Sequence, residues 1–305
     1  MAEAQLSRGN LFEPHLVSDL FNKVKGKSSL AVLSQQTPIP FNGLKEFTFS
    51  MDSEIDIVAE NGKKTHGGIS LAPRKIVPIK VEYGARVSDE FIYASDEEKI
   101  NIIKAFNDGF AKKIAKGIDL MAMHGINPRT GQASEIIGSN HFDAQATQTV
   151  NFTAETVEDN LETAIAMVQG AENDVSGMVV STEISSALAK LKVNGVRQYP
   201  ELKFGANPGT LSGMKFEINK TVKNDTSKDV GIVGDFENAF KWGYAKRIPF
   251  EVIKYGDPDN SNKDLKGYNQ VYLRAEAYLG WGILDGNAFA RLVICLLYTS
   301  PSPRD

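Results

Sequence analysis

The stretch FTFSMDSEIDIVA at residues 47–59 alternates apolar and polar side chains at every position except Ser53 and Val58. A second alternating stretch, KIVPIKVEYGARV, occupies residues 75–87, and the polar, glycine-marked segment ENGKKTHGG at residues 60–68 lies between them. Alternation with a period of two places the apolar side chains on one face of a strand. The pattern therefore predicts a long β-hairpin whose arms each reach roughly 40 Å, at about 3.3 Å per residue.

This hairpin needs a surface that covers its apolar face, because a two-stranded hairpin alone is only marginally stable in water. The cover could come from elsewhere in the same chain or from a neighbouring copy. The length of the hairpin favours a neighbouring copy. The residues predicted to make this inter-subunit contact are Phe47, Phe49, Ile55, Ile57, Gly62, Lys63, Lys64, Gly67, Gly68, Val77 and Ile79.

A long helix is predicted over residues 96–124. Ser95 is a good N-cap residue, and three acidic residues follow it in the first turn. Apolar residues then recur every three or four positions as far as Met121. Gly125 ends the helix and Pro128 blocks its continuation. At 1.5 Å per residue the helix is on the order of 40 Å long.

The rest of the chain adds an arm and a mixed lobe. Residues 1–45 are predicted to form an arm that lies against another surface, because this proline-broken sequence cannot fold alone. Residues 150–255 combine helical and strand patterns and are predicted to form an α/β lobe. After a turn-rich linker at 256–269, residues 271–279 alternate as a final strand. The chain is thus predicted to have an α+β fold.

The composition of the 305 residues excludes several classes of protein. A formal net charge of −4, from 34 basic and 38 acidic residues, lacks the basic surplus of a dedicated nucleic-acid binder. No apolar stretch approaches the roughly 20 residues that span a bilayer, and the N-terminus lacks the apolar segment of a signal peptide. Cys295 is the single cysteine, which excludes an internal disulfide and a multi-cysteine metal site. We therefore expect a cytoplasmic protein with no membrane partner.

The final residues 295–305, CLLYTSPSPRD, match codon by codon one reading frame of a transposase adapter used in DNA sequencing libraries. We interpret them as a sequencing-adapter artefact that takes no part in the fold. The alternative is an ordinary flexible tail, which Pro301 and Pro303 would favour.

The sequence offers no pattern that would assemble an enzymatic centre. The histidines, which lack HExxH and HxH spacing, are His15, His66, His124 and His141. His124, at the end of the predicted helix, is most simply a partner for the helix dipole. The acidic residues at 52, 54 and 56 would share one solvated face of a strand rather than form a catalytic pair. With no nucleophile or phosphate-binding motif, we predict no enzymatic activity, no cofactor and no metal site.

Taken in order, several phrases of the sequence resemble the major capsid protein family of tailed bacteriophages. The phrases are KGKSSLAVLSQQTPIPFNG at 25–43, VEYGARVSDEFIYAS at 81–95, GIDLMAMHGINP at 117–128, GIVGDFENAFKWGYAKRIPFEVI at 231–253 and QVYLRAEAYLGWGILDGNAFARL at 270–292. The resemblance covers about residues 8–294. Its specificity comes from the order and spacing of the phrases more than from any one of them.

The resemblance implies the capsid fold of tailed bacteriophages, in which the predicted hairpin becomes an extended loop that lies across the neighbouring subunit. The implied segments are an N-terminal arm at 1–45, the extended loop at 46–80, a peripheral domain at 81–149 with a spine helix at 96–124, an axial domain at 150–255 and a returning peripheral strand at 256–294.

The resemblance also implies a function. Such a protein self-assembles as pentamers and hexamers into an icosahedral shell that encloses phage double-stranded DNA without sequence specificity. It belongs to the virion and is assembled in the bacterial host cytoplasm. Its implied partners are further copies of itself, a separate scaffolding protein, a portal and a maturation protease. Because only some 25 residues precede the KGKSS phrase, the resemblance implies either a separate scaffolding protein or assembly without one.

Some relatives join a lysine of the extended loop to an asparagine of a neighbour. Lys63 or Lys64 could take that place, but no matching asparagine or glutamate aligns, so we expect non-covalent contact. Two alternatives stay open. An encapsulin-type nanocompartment shell would enclose cargo enzymes within the same fold, although no long amphipathic N-terminal helix for docking cargo is evident. A soluble enzyme with an α/β lobe is the other, although it lacks a catalytic motif.

Overall fold

The computed structural model describes residues 28–90, 96–245 and 250–294. The helices are α1 Ser29–Leu33, α2 Asp96–His124, α3 Phe142–Gln145, α4 Val157–Gly170 and α5 Thr182–Lys190. The strands are β1 Leu44–Met51, β2 Ile69–Ile76, β3 Ile79–Ser88, β4 Gln148–Asn151, β5 Gly177–Val180, β6 Lys192–Val193, β7 Val196–Arg197, β8 Thr210–Leu211, β9 Met214–Ile218, β10 Asp229–Gly234, β11 Phe240–Tyr244, β12 Phe250–Ile253, β13 Gln270–Ile283 and β14 Phe289–Val293. The fold is α+β, as predicted.

A six-stranded mixed sheet forms the core of one lobe, in the order β4-β14-β10-β5-β9-β8. β10 is antiparallel to both of its neighbours, while the β4–β14 and β5–β9 pairs are parallel. α4 and α5 cover one face, where Val157 and Leu161 pack with Met178 and Val180 of β5. Val179 points to the opposite face and joins a second core with α1 and α2. β5 is therefore buried on both faces, which explains its continuous apolar sequence.

A four-stranded antiparallel sheet is built around β13. β3 pairs with residues 270–279 of this strand, β12 with residues 272–275 and β11 with residues 279–283. Because residues 272–275 have both β3 and β12 as partners, those two strands lie on opposite edges of β13. Leu273 and Leu279 of β13 are each 1% exposed, so its apolar residues share a buried face, as their alternation predicts.

α2 has the bounds that the sequence predicts, Asp96–His124. It ends where Gly125 adopts a left-handed conformation with φ +67° and donates its backbone N–H to the Met121 carbonyl. Its buried side chains Phe110 and Ile118 pack in the same cluster as Leu279 of β13. α2 therefore covers the apolar face of the four-stranded sheet. Within the described ranges, no helix has the length and apolar character that a membrane crossing requires.

The strand pairing of the predicted hairpin is only partly as expected. β1 does pair with a following antiparallel strand, but that strand is β2, and the predicted pairing of residues 47–59 with residues 75–87 is wrong. Residues 52–68 lie outside the strands, and β3 pairs with β13 instead. Pro78, which has no N–H to donate to a ladder, separates β2 from β3. Alternation shows which face a side chain occupies but does not identify the strand that pairs with it.

The two main sheets do not divide the chain in sequence order. β11 and β12 fall within residues 150–255, which the resemblance assigned to an axial domain, yet they pair with β13. β14 falls within residues 256–294, the expected returning peripheral strand, yet it pairs with β4 and β10 of the six-stranded sheet. The chain thus passes from the six-stranded sheet to the four-stranded sheet after β10 and returns at β14.

The described part of the arm lies against the rest of the subunit, as predicted for a segment that cannot fold alone. α1 buries Leu30 and Leu33 completely. After α1 the chain is extended, and Gln36 forms a parallel bridge with Trp242 of β11. The remainder of the predicted arm, residues 1–27, and the interpreted artefact at 295–305 lie outside the described residues.

Candidate assembly surface

One face of the β1–β2 hairpin is apolar and exposed to solvent. Directly opposed residues of an antiparallel pair share a face. The apolar face carries the opposed pairs Phe47–Pro73, Phe49–Leu71 and Met51–Ile69. Phe47 is 62% exposed and Leu71 is 61% exposed. Such a contiguous row of large apolar side chains on a surface is typical of a protein interaction site.

The other face of the hairpin is mostly polar. It carries the opposed pairs Glu46–Arg74, Thr48–Ala72 and Ser50–Ser70. The hairpin is therefore amphipathic, with its polar face suited to water and its apolar face suited to another protein surface. This is the arrangement expected of a sheet that is packed on one side.

The root of the hairpin is fixed to the body of the subunit. Ile76, at the end of β2, is 1% exposed and lies over Gly280 and Gly282 of β13. A Cβ atom at Gly282 would come within 2.6 Å of the Ile76 side chain, so this glycine permits the close approach. Beside it, the Lys241 ammonium lies 2.8 Å from the Glu46 carboxylate. The hairpin thus projects from a buried base.

The tip of the hairpin is held by hydrogen bonds to Asp52. The Asp52 carboxylate accepts from the Gly68 backbone N–H at 2.6 Å and from the Ser53 hydroxyl at 3.0 Å. A Cβ atom would lie 2.3 Å from the Asp52 carboxylate at Gly68 and 2.2 Å from Ser53 Oγ at Gly67. The two glycines therefore let the returning chain pass close to these side chains.

A groove of about 410 Å³ lies beside the hairpin root. It is bounded by the end of β2, the start of β3 and the segment around Ile136, which is itself 80% exposed. Val77 and Ile79 contribute to its lining. The lining also includes polar residues such as Arg74, Lys75 and Gln145, so the groove adjoins the hairpin without continuing its apolar face.

The predicted contact residues have different outcomes. Those that are exposed on the hairpin, its tip or its root are Phe47, Ile55, Ile57, Gly62, Lys63, Lys64, Gly67, Gly68 and Val77. Phe49 is paired through its backbone with Leu71, and its side chain lies outside the described part of the structure. Ile79 is half-buried, pairs with Leu279 and packs against the core of its own subunit, and its contact with a neighbouring copy stays a prediction.

Sequence reasoning missed the second half of the apolar face. The missed residues are Ile69, Leu71 and Pro73, together with Met51, which was placed on the apolar stripe but not among the contacts. Alternation in ISLAP at 69–73 could have indicated them. The pattern is short, and it ends at Pro73, which is followed by the basic residues Arg74 and Lys75.

Sequence reasoning also missed a buried polar cluster where α2 meets the six-stranded sheet. His124 Nδ1 lies 2.9 Å from the Asp143 carboxylate, and its Nε2 lies 2.9 Å from the Thr221 carbonyl oxygen. Both ring nitrogens face acceptors, so both donate and the imidazole carries a positive charge. Arg291 Nη1 lies 3.0 Å from Asp229, which is fully buried, and 3.7 Å from Asp143.

The charged groups of this cluster shift one another's pKa values. Burial lowers the pKa of His124, but the hydrogen bonds to Asp143 and Thr221 and the negative charges of Asp143 and Asp229 together raise it above its usual value. Burial alone would raise the pKa of Asp143, which the hydrogen bond from His124 holds below its usual value. Burial and the neighbouring Asp143 carboxylate raise the pKa of Asp229 to about 7.

The same cluster has the residue types of a metal site, since ligand atoms of His124, Asp143 and Asp229 lie within 4.8 Å of one another. However, the Arg291 guanidinium already supplies positive charge to both carboxylates, and both nitrogens of His124 are engaged. We therefore interpret it as an ion-pair network that joins α2, the segment of α3, β10 and β14.

A second buried carboxylate fixes the arm to α2. Asp119 is fully buried and accepts hydrogen bonds from the Ser28 hydroxyl at 2.6 Å and from the backbone N–H groups of Ser29 and Leu30. The Asn219 amide also donates to it at 2.7 Å. Burial raises the pKa of Asp119 to about 6, against the opposing effect of these hydrogen bonds. The Asp119 carboxylate, on α2, therefore links this helix to the first turn of α1 and to Asn219, which follows β9.

Comparison with known proteins gives a consistent family. The sequence profile described as the phage capsid family matches residues 8–294. A solved structure from Mycobacterium phage Ogopogo is similar with a TM-score of 0.74 and 28% identity, over 88% of this chain and 92% of that chain. A structure from Gordonia phage Cozz has a TM-score of 0.72 and 24% identity, over 88% and 87%.

A third similar structure is described as the capsid of an empty GTA particle computed with C5 symmetry. Its TM-score is 0.62 at 14% identity, over 88% of this chain and 90% of that chain, so it supports the fold alone. The comparison with curated proteins gave no match. Since the family profile covers almost the whole chain, the protein belongs to the phage capsid family.

Proposed function

We propose that this capsid shell protein self-assembles as pentamers and hexamers into an icosahedral shell, with the β1–β2 hairpin of each subunit lying on a neighbouring copy. The observation that carries the proposal is the exposed apolar face of the hairpin, with Phe47 and Leu71 each more than half exposed. A hairpin of two strands needs a covering surface to be stable.

The occupant of this face is a second copy of the same chain because shell proteins of the phage capsid family act as assemblies of identical subunits. The hairpin projects from one side of its subunit and differs in surface from the body that would receive it. Such a contact is heterologous, and heterologous contacts between identical copies close into rings when the rotation allows. Pentamers and hexamers are rings of this kind.

The two sheets suggest how the subunit is arranged in the shell. We assign the six-stranded sheet with α4 and α5 to the axial domain, near the centre of each ring. We assign the four-stranded sheet with α2 to the peripheral domain, from which the hairpin emerges. The ion-pair network of His124, Asp143, Asp229 and Arg291 then lies at the junction of the two domains.

The family places the protein in the virion, and we propose double-stranded DNA as the content of the shell. The net charge of −4 suits a container that encloses DNA without binding it tightly. A separate scaffolding protein, a portal and a maturation protease are the proposed assembly partners, and the host cytoplasm is the proposed place of assembly.

The test compares particle formation by the full chain and by two double variants, using negative-stain microscopy. In Phe47→Ser/Leu71→Ser, the apolar face loses two large side chains, and we expect closed particles to be lost while the circular dichroism spectrum stays unchanged. The matched control Ser50→Ala/Ser70→Ala changes an opposed pair on the polar face and should assemble like the unaltered chain.

Two results would contradict the proposal. One is a stable monomer of the unaltered chain across salt and crowding conditions. The other is normal particles from the Phe47→Ser/Leu71→Ser variant. Particles that form normally but are recovered with cargo proteins instead of DNA would favour a nanocompartment shell over a phage shell.

A further inference from the structure

Two lysines lie directly opposite each other at the root of the β1–β2 hairpin. Lys45 pairs with Lys75 in the strand register, and both residues are exposed. They share a face with the Phe47–Pro73 pair, so the apolar face ends at the root in two positive charges. Like charges directly opposite each other destabilise a strand pair. Neither lysine forms an ion pair with a carboxylate of the described residues.

The groove beside the root combines apolar surface with this positive charge. Its lining includes the buried side chains of Trp281 and Ile283, the exposed side chains of Val77 and Ile136, and Lys75 of the lysine pair. Its volume of about 410 Å³ is within the range of binding sites for small ligands, about 300–1,000 Å³. The groove is therefore large enough to receive several side chains of an extended segment.

The tip of the hairpin, residues 52–68, carries groups that complement the root. Ile55 is 97% exposed and Ile57 is 96% exposed. Glu54 and Glu60 are exposed beside them, and neither carboxylate has a hydrogen-bond or ion-pair partner among the described residues. The tip thus presents apolar side chains and negative charge, where the root presents apolar surface and positive charge. Such charge complementarity favours a contact between the two surfaces.

The tip does not reach the root of its own hairpin. β1 and β2 have eight residues each and are paired along their whole length, so roughly 25 Å separates root from tip at about 3.3 Å per residue. The two surfaces therefore meet only between different copies. Because they lie at opposite ends of one element, each subunit offers its tip to one neighbour and its root to another. Such a head-to-tail contact closes into a ring when the rotation allows.

We propose that the hairpin tip of one copy binds the groove and the lysine pair at the hairpin root of a neighbouring copy. Ile55 and Ile57 enter the groove, where their side chains are removed from water. The carboxylates of Glu54 and Glu60 lie beside the lysine pair and offset its repulsion. This inference rests on the proposed function, which places the hairpin on a neighbouring copy, and it adds the surface that receives the tip.

Cysteine cross-linking of the full chain tests this contact, in a Cys295→Ser background that removes the single native cysteine. Ile57→Cys/Ile136→Cys puts one thiol in the tip and one at the groove. Because a disulfide forms only when the two Cβ atoms come close, oxidation of the assembled protein should give a ladder of covalent oligomers up to pentamers and hexamers on a non-reducing gel. The control Phe204→Cys/Ile136→Cys, which replaces the tip thiol by one at a fully exposed site outside the hairpin, should give no ladder.

Charge reversal tests the role of the lysine pair. Lys75→Glu should raise the concentration needed for assembly roughly tenfold, because it brings like charges together at the contact. Glu54→Lys/Glu60→Lys should have a similar effect from the other side. The combination of all three substitutions restores opposite charges, so its assembly threshold should return to within about threefold of that of the unaltered chain.

Particles that form without a cross-link between positions 57 and 136 would overturn this inference and leave the proposed shell function intact. Reversal variants that assemble normally, or a combined variant that is not restored, would also overturn it. Absence of particles and of rings from the unaltered chain would contradict the proposed function, and the contact between tip and root would be rejected with it.

Discussion

Two antiparallel ladders in this subunit have similar sequence patterns and opposite environments. In the β3–β13 ladder, alternate apolar residues such as Leu273 and Leu279 are each 1% exposed. In the β1–β2 ladder, alternate apolar residues such as Phe47 and Leu71 are each more than 60% exposed. The ladders differ in what lies over them, because α2 covers the first and the apolar face of the second is open to water.

This difference shows that an amphipathic strand pair is only part of a folded unit. Apolar burial stabilises a protein roughly in proportion to the area removed from water. The β3–β13 ladder obtains that burial within one subunit, from a helix of 29 residues. No described residue covers the apolar face of the β1–β2 ladder, so under the proposed assembly this burial would come from a neighbouring copy and would stabilise the assembly.

The comparison can be tested most strongly by shortening one leucine in each ladder. Leu279→Ala removes a buried side chain from the core under α2 and should lower the free energy of unfolding of the unassembled subunit by about 2–5 kcal/mol. The matched variant Leu71→Ala removes the same atoms from an exposed site and should change it by less than about 0.5 kcal/mol. Urea unfolding of both variants measures the difference.

Similar losses in the two variants would mean that the hairpin face is covered within its own subunit. In that case the inter-subunit role of the hairpin would have to be abandoned. A small loss in both variants would instead mean that α2 does not pack on β13 as described.

The sequence was sufficient for features that depend on local pattern. The bounds of α2 follow from Ser95, Gly125 and the helical spacing between them, and the buried face of β13 follows from strict alternation. The exposed tip was also predictable, because Gly67 and Gly68 stand in a polar run. Each of these features is decided within a few residues of chain.

The strand pairing that was predicted wrongly and the buried cluster that was not predicted both depend on contacts between distant segments. Residues 79–87 alternate as well as β2 does, and their partner lies some 190 positions further along the chain, in β13. The buried cluster brings together His124 and Arg291, which are 167 positions apart along the chain. No local pattern marks a charged residue as buried, since charged side chains are usually exposed and are buried only when paired.

The buried cluster belongs to neither ladder, but it holds the end of α2, the helix that covers the β3–β13 ladder. Its titration therefore changes the stability of the subunit body and not that of the hairpin. The pKa of His124 is raised in the folded subunit, so its stabilising contribution is complete below pH 6.5 and is lost as pH rises through the folded pKa. The raised pKa of Asp229, about 7, also makes stability fall as pH rises, but mainly between about pH 4 and 7. We therefore expect the free energy of unfolding to fall as pH rises above 6.5.

Two other buried or half-buried groups, Asp119 and His141, change the stability of the subunit at lower pH. The raised pKa of Asp119, about 6, makes stability fall mainly between pH 4 and 6, and the lowered pKa of His141 makes it rise as pH approaches 6.5. Urea unfolding between pH 6.5 and about 9, below the range in which tyrosine and lysine side chains titrate, therefore isolates the cluster. His124→Gln should flatten the profile there, whereas Leu71→Ala should leave the slope unchanged. A slope that survives in His124→Gln would assign the effect to other groups.

The smallest expected effect is at the hairpin tip, where Gly68→Ala places a methyl group against the Asp52 carboxylate. The Cβ atom would lie 2.3 Å from Asp52 Oδ2, so the hydrogen bond between the Gly68 N–H and Asp52 must lengthen or break. Because the tip is exposed, the free energy of unfolding of the subunit should change by less than about 0.5 kcal/mol. The concentration needed for assembly should rise several-fold, since the tip is no longer held in shape for its neighbour.

The control is His66→Ala, an exposed substitution in the same tip, which should alter neither the free energy of unfolding nor the concentration needed for assembly. An unchanged assembly threshold in Gly68→Ala would restrict the contact to the strands, because the shape of the tip would then not matter to the neighbouring subunit.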